Sequence, residues 1–307
     1  MVGITVIAVI GSLYYIVPAL YVVAVVGTLI FRNSSCIILS CILVALSVIP
    51  TPINTRSRNH WVLRTICEYF NLRWIEDTPQ SSFDVHQQYI ACWLPHGIIP
   101  FSGIAAGSVF DAISPRFYGS VAMAAVLFKM PVLRQFFALF NGIPADRKSM
   151  VNALNNGKSV SVYPGGVAEL FLSRPDQESI YIKRRKGFIR LALETGSHIC
   201  PYYTFGNNLM YDVVSDSKGK PGILSTMSRK LGASIILFYG RFGLPIAKRV
   251  NVLIVRGPAI VVDKVSNPTQ VQIDELHHKV IDEIQILFDK YKAIAGEQHA
   301  YKELQIK

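Results

Sequence analysis

Two short stretches hold residues whose types and spacing could do chemistry: Leu94-Pro95-His96-Gly97 and Tyr163-Pro164-Gly165-Gly166-Val167-Ala168-Glu169, in which Glu169 lies 73 residues beyond His96. Each follows a short apolar run that reads as a strand. Each therefore sets its polar residues where a strand gives way to a turn, the edge at which α/β sheets build active sites. A neutral imidazole at such a point can accept a proton from a hydroxyl, and a carboxylate at a neighbouring strand end can orient or charge it. Gly165 and Gly166 let a ligand come close to the backbone, where exposed N–H groups can bind an oxyanion or a phosphate. A third stretch, Lys183-Arg184-Arg185-Lys186 followed by Arg190, opens a helix and suits the docking of a polyanionic group such as a pyrophosphate. Taken singly, each has an ordinary reading: a structural histidine, a plain turn, a first-turn carboxylate favoured by the helix dipole, a solvated charge run.

The elements that must position these residues alternate strand with helix. Residues 88–94 read as the strand that ends at His96, residues 101–112 as a helix, and residues 117–121 as a further strand. Residues 129–140, with Phe136, Phe137 and Phe140, are greasier than a surface helix allows; they read either as core or as a surface that dips into a bilayer. Ser149 is the expected N-cap of a helix over 150–156, with Gly157 at its C′ position. Residues 159–163 form the strand that delivers the second stretch. Residues 187–195 read as a helix closed by Gly196, and 199–205, 234–239 and 250–255 as strands. The chain closes on an amphipathic helix whose stripe of Leu276, Val280, Ile284, Leu287 and Tyr291 has helical spacing. The alternation predicts a single α/β domain, a central sheet flanked by helices.

Of the 307 residues 51% are apolar, too many for an ordinary soluble domain, yet 17% are charged, too many for a polytopic membrane protein. The excess is local. Residues 1–50 hold one charged residue, Arg32, so the remaining 257, with 30 basic and 20 acidic residues, carry +10 of the net +11. A membrane anchor over 1–50 and a basic body over 51–307 follow. The anchor has apolar runs at 2–31 and 36–49. A crossing needs about 20 apolar residues, so the first run can cross with tilt while the second is marginal. Either the runs form a hairpin that returns the chain to its starting side, or one crosses and the other lies shallow. The first run is too long, and its start too free of positive charge, for a cleaved signal peptide. Arg56, Arg58 and Arg64 after the second run point to a cytosolic body. Cys67, Cys92 and Cys200 lack disulfide or zinc spacing and read as small buried hydrophobes. No nucleic-acid motif is present, and an anchored body on a bilayer explains the basic excess without one.

Taken in order, these motifs resemble the type-2 diacylglycerol acyltransferase family, with its monoacylglycerol and wax-ester relatives. Leu94-Pro95-His96-Gly97 looks like its His-Pro-His-Gly, and Pro164-Gly165-Gly166-Val167-Ala168-Glu169 like its Pro-Gly-Gly-x-x-Glu. The run from Arg185 to Gly196 is similar to its long basic block, and Pro201-Tyr202-Tyr203-Thr204-Phe205-Gly206 to the segment after it. Gly142-Ile143-Pro144-Ala145-Asp146-Arg147 resembles the stretch before its Pro-Gly-Gly strand. The resemblance covers residues 85–260. Leu94 stands where the family has its first histidine, which leaves His96 as the base. Asn207 and Asn208 stand where the family often has Gly-Glu-Asn, so the chain departs from the pattern there.

The resemblance implies an acyl-CoA-dependent O-acyltransferase that esterifies the free hydroxyl of diacylglycerol to form triacylglycerol, with monoacylglycerol or a long-chain alcohol as the alternative acceptor. It implies work at the endoplasmic reticulum membrane, the body facing the cytosol, with lipid droplets as a second location. Acyl-CoA is a co-substrate, no cofactor or metal is expected, and a homo-oligomer is left open. In this frame His96 takes the hydroxyl proton, Glu169 orients or charges the imidazole, and N–H groups near Gly165 and Gly166 steady the oxyanion. Arg147, Arg185 and Lys186 would hold the CoA phosphates.

Other classes would need other residues. A lysophospholipid acyltransferase would carry an aspartate five residues beyond its histidine, where this chain has Phe101. His277 and Asp282 have that spacing, but on a helix they share no face. A non-enzymatic hairpin protein that coats lipid droplets has no need of a histidine, a Gly-Gly turn and a carboxylate at strand ends. Residues 157–161 lack the last glycine of a hydrolase nucleophile elbow.

Overall fold

The computed structural model describes residues 2–49, 61–78, 84, 86–106, 119–138, 141–214, 226, 228 and 236–307. Helices α1 (Val2–Leu29), α2 (Ser34–Val48) and α3 (Trp61–Tyr69) come first, then strands β1 (Arg73–Glu76), β2 (Tyr89–Leu94) and β3 (Ser120–Met123). Next are α4 (Leu133–Ala138), β4 (Gly142–Pro144), α5 (Arg147–Asn155), β5 (Val160–Val162) and α6 (Gly166–Leu170). The chain continues through β6 (Glu178–Ile180), α7 (Gly187–Thr195), β7 (His198–Phe205), β8 (Asp212–Val213), β9 (Phe238–Tyr239) and β10 (Leu253–Arg256). It closes with α8 (Gln270–Ala295), α9 (Glu297–Ala300) and β11 (Leu304–Ile306).

Seven strands form the main sheet, in the order β1-β10-β7-β2-β5-β3-β4. β2 pairs parallel with both β5 and β7, and β3 and β4 continue the parallel run. Only the β10–β7 pair of this sheet is antiparallel among the described strands. The C-terminal ends of β2, β5 and β7 therefore open on one edge, with β2 in the middle.

β2 is buried along its whole length, which is why its six residues read as a continuous apolar run rather than an alternating one. Its alternate side chains feed two cores. Ile90, Cys92 and Leu94 pack with Ile189 and Ala192 of α7 and with Val280, Ile284 and Leu287 of α8. The stripe read for the C-terminal helix is thus buried as expected. Tyr89, Ala91 and Trp93 face the opposite way, toward Leu63 and Ile66 of α3 and Ile7 and Ile10 of α1. On that face the Trp93 and Tyr202 rings stack at 4.1 Å.

α1 is 28 residues long and apolar enough to cross a membrane by length and composition. It does two jobs along its length. Its first turns are part of the domain core through Ile7 and Ile10, whereas Val22, Val23, Val25 and Leu29 at its far end, and Phe31 just past it, are exposed. α2 returns against it: Thr28 and Ser40 hydroxyls lie 3.0 Å apart, and the Ser40 hydroxyl donates to the Ala24 carbonyl at 3.3 Å. Asn33 caps α2 by accepting from the Ser35 N–H at 2.9 Å. At the end of α2, Gln135 of α4 donates to the Leu46 carbonyl at 2.8 Å and Arg134 to that of Ser47. The two runs pack together as a helical hairpin that begins and ends at the body.

Several boundaries differ from the sequence reading. Asp146, not Ser149, caps α5: its carboxylate accepts from the Ser149 N–H at 2.8 Å and the Ser149 hydroxyl at 3.0 Å, so the helix starts at Arg147. The acid wins because it satisfies two donors at once. Residues 101–106 are helical; the second half of that expected helix, residues 117–118, 139–140 and 234–235, and Arg56 and Arg58 lie outside the described residues. Residues 129–140 hold α4, whose Leu133 is buried and whose Phe136 packs against the α1-side core, which favours the core reading for them.

Candidate active site

His96 leaves β2 at the centre of the open edge, and the turn that carries it is held from β7. Asn207, just past the end of β7 and buried, donates its Nδ2–H to the Pro95 carbonyl at 2.9 Å. Gly97 has φ +65°, and a Cβ there would lie 3.0 Å from the Asn207 carbonyl oxygen, so the turn needs glycine twice over. The position that departs from the family pattern is thus the one that braces the histidine turn.

The imidazole has one defined partner. His96 Nδ1 lies 2.6 Å from the Gly97 carbonyl oxygen, which can only accept, so Nδ1 carries the hydrogen and Nε2 keeps its lone pair. Burial pushes the imidazole below its ordinary pKa of 6.5, which favours its neutral form, the one with a free lone pair. Its ring meets the Tyr163 ring at 4.9 Å in an edge-on arrangement.

Glu169 comes to the same place, but it binds main chain rather than the ring. One carboxylate oxygen accepts from the His96 backbone N–H and the other from the Tyr181 N–H at 2.8 Å. The expectation that Glu169 orients or charges the imidazole is corrected accordingly: it fixes the histidine's backbone, and Gly97 fixes its ring. The carboxyl is 2% exposed. Burial pushes its pKa up to about 7, against the pull of the two N–H donors and the nearby Arg185 charge. Gly165 makes the approach possible, since a Cβ there would lie 2.3 Å from Glu169 Oε2.

The remaining expected residues divide. Arg185 belongs to the cluster: it donates to the Gly165 carbonyl at 3.3 Å, and its guanidinium lies 5.0 Å from the centre of the Tyr181 ring. The Gly166 N–H is taken by the Tyr163 carbonyl at 3.1 Å within the turn, which removes it as an oxyanion donor and leaves that of Gly165. Lys186 sits at the start of α7, ion-paired with Asp274 of α8 at 2.6 Å. Arg147 is paired with Glu194 and follows β4, three strands from β2, or about 14 Å along the edge at the usual strand spacing. Neither of these two touches the histidine turn. Among the described residues no three His, Cys, Asp or Glu side chains gather as a metal site.

A second buried polar cluster supports the first, and neither of its ends has a local sequence signal. Glu178, which opens β6, meets His299 Nδ1 at 2.7 Å, the Tyr203 hydroxyl at 3.2 Å and Asn208 Nδ2 at 3.5 Å. β11 pairs parallel with β6 from Glu178 to Ile180. The strand that presents the Tyr181 N–H to Glu169 is thereby anchored on both sides. The histidine and carboxylate are 121 residues apart, so only the fold reveals the pair.

Residues 29–306 match the diacylglycerol acyltransferase family. The chain belongs to that family. It is 34% identical over 253 residues to diacylglycerol O-acyltransferase 1 of Schizosaccharomyces pombe, spanning 77% of this chain and 72% of that one. It is 33% identical to diacylglycerol O-acyltransferase 2 of Dictyostelium discoideum, over 76% and 74% of the two chains. Against 2-acylglycerol O-acyltransferase 1 of Bos taurus it is 28% identical, over 78% and 75%. A crystal structure of a 1-acyl-sn-glycerophosphate acyltransferase from Thermotoga maritima aligns with 87% of this chain and 94% of its own, at 12% identity and a TM-score of 0.43. Within the diacylglycerol acyltransferase family, then, this chain carries one histidine in its first motif and a carboxylate bound to that histidine's backbone.

Proposed function

We propose that the protein transfers a fatty acyl group from acyl-CoA to the free hydroxyl of diacylglycerol, giving triacylglycerol and free CoA, with His96 as the general base. The observation that carries the assignment of the base is the fixed tautomer: Nδ1–H is committed to the Gly97 carbonyl, so the Nε2 lone pair is the one that can meet a substrate proton. His96 Nε2 takes the hydroxyl proton as the oxygen attacks the thioester carbonyl carbon. The tetrahedral oxyanion then collapses, the C–S bond breaks, and the departing CoA sulfur takes the proton back from the imidazolium. Glu169 keeps the His96 backbone in place through both proton transfers, and the Gly165 N–H is the candidate oxyanion donor.

The two sides of the edge suit the two substrates. Tyr163, edge-on to His96, packs against the core that contains α1, so the apolar acceptor reaches the base from the hairpin side. The basic run lies toward the other core: Ile182 is part of it, and Lys186 is tied to α8. Lys183 and Arg184, with Arg185, Lys186 and Arg147, offer the charge that CoA phosphates require. Work at the endoplasmic reticulum membrane, with the body on the cytosolic side and lipid droplets as a second location, is the placement we infer; the exposed apolar hairpin followed by Arg56, Arg58 and Arg64 supports it.

Product analysis with labelled acyl-CoA and each acceptor, using full-length protein in lipid, tests the reading. Triacylglycerol from diacylglycerol is expected as the main product. Diacylglycerol formed from monoacylglycerol at the higher rate would move the acceptor to that of the bovine relative, and no ester from any acceptor would overturn the enzyme assignment.

A further inference from the structure

The turn between β9 and residue 246, far from the hairpin in sequence, is built onto it. The Tyr15 hydroxyl of α1 donates to the Phe238 carbonyl at 2.7 Å and accepts from the Phe238 N–H at 2.8 Å, replacing a strand partner. Tyr14 and Tyr15 both pack their rings on Phe238, at 5.0 and 5.1 Å. One turn earlier, Gly11 lets α1 press against the Pro245 backbone, where a Cβ would lie 1.8 Å from the carbonyl oxygen. The segment is thus seated on α1 between residues 11 and 15. Val9 and Ile16, on either side of the seat, are both more than half exposed and begin the apolar surface that runs to the hairpin tip.

The turn presents its own apolar tip. Phe242 is 75% exposed and Leu244 51%, with Arg241 against the Phe242 ring and Arg249 exposed nearby. Phe242 has φ +60°, a left-handed conformation that a bulky residue holds only when its surroundings over-determine it. The surroundings do so: Gly240 N–H donates to the Leu244 carbonyl and Arg241 N–H to that of Ile246, both at 2.7 Å, and Leu244 N–H donates to the Arg241 carbonyl at 3.0 Å. A strained, pinned turn that points an aromatic and a leucine outward beside an apolar helix is costly in water and suited to a lipid interface.

We propose that the Arg241–Leu244 turn is a second membrane-contact element, with Phe242 and Leu244 entering the acyl-chain boundary of the same bilayer as the hairpin while Arg241 and Arg249 meet lipid phosphates. It orients the body on the membrane by a contact some 200 residues along the chain from the hairpin tip. The inference rests on the hairpin being in lipid but not on the reaction. It is tested with full-length Phe242→Trp protein in vesicles of phosphatidylcholine and phosphatidylserine, reading the emission added over that of Trp61, Trp74 and Trp93. Lipids brominated on the acyl chain should quench the added emission, and iodide in the water should not. Ile38→Trp, on exposed α2, serves as the control for the hairpin. Quenching of Trp at 242 by iodide alone, with Ile38→Trp quenched by bromine, would overturn the proposal and leave the anchor standing. Loss of bromine quenching at both sites would overturn the proposal together with the anchor. If Phe242→Trp does not fold, Leu244→Trp carries the same test.

Discussion

The two faces of the main sheet are both apolar, yet they are completed in different ways. One is closed by helices of the body itself, α7 and the long α8, whose outward sides are charged and whose ion pairs, such as Lys186–Asp274, tie the basic run down. The other is closed in part by α1, a helix whose remaining length is exposed and apolar. The same hydrophobic effect builds both faces; what differs is what they present beyond, a charged surface on one side and an exposed apolar helix on the other. His96 stands where the faces meet at the end of β2. On the reading proposed above, a reaction between a water-soluble thioester and a membrane alcohol needs a base at such a seam.

The comparison can be broken at the seam itself. His96→Ala should lower kcat by about 10²- to 10⁴-fold, the usual worth of a general base, with product formation from labelled acyl-CoA as the readout. A near-unchanged rate would remove the seam as the place of reaction. Gly165→Ala comes next, because its Cβ would sit on Glu169 Oε2. Displacing that carboxylate strands two buried N–H donors, each worth about 1–3 kcal/mol, so a loss of the order of tenfold or more in kcat is expected. Glu169→Gln keeps the shape but turns an N–H₂ toward one of the two donors, and a smaller loss, roughly five- to tenfold, should follow.

The same variant sharpens the electrostatics. Glu169 holds its proton up to about 7 in the folded protein, against an ordinary value of 4.5. Between those values the folded state binds more protons than the unfolded one, so this group makes stability fall as pH rises through that window, by up to about 1.4 kcal/mol per pH unit. Thermal melts across the window should show a flatter pH dependence for Glu169→Gln than for the wild type. On the hairpin side, Gly11→Val should cost about 1–3 kcal/mol by forcing α1 away from Pro245, with a lower Tm as the check. The smallest effect belongs to the basic side. Lys186 is partly exposed and already paired, so Lys186→Ala should raise the KM for acyl-CoA by a few-fold at most and leave kcat unchanged.

Much of this arrangement is visible in the residues alone, for identifiable reasons. Strand ends announce themselves through an apolar run followed by Pro or Gly, so the placement of His96 and Gly165 on one edge can be read directly. So can α7 with its Gly196 terminator, because periodicity and a left-handed cap are local signals. What Glu169 binds is not local. A carboxylate accepts equally well from an imidazole or an amide, and only the approach of β6 with Tyr181 settles that both its oxygens face main chain. Asn207 looked like a mere departure from a pattern, since an amide that braces a turn has no signature until the turn is in place. The division of α1 is hidden for a different reason. Ile7 and Ile10 would be chosen for lipid or for a protein core alike, so composition cannot mark where one gives way to the other.

The central claim is that the two substrates reach His96 from opposite faces of the sheet, and cross-linking tests it most directly. Full-length protein in lipid would be irradiated with a diacylglycerol carrying a photoreactive acyl chain and, separately, with a CoA thioester carrying the reactive group on its nucleotide. The account predicts that the diacylglycerol probe labels α1 and residues 98–106 and the nucleotide probe labels residues 183–190. Labelling of both regions by both probes, or of the basic run by the acyl chain, would contradict it.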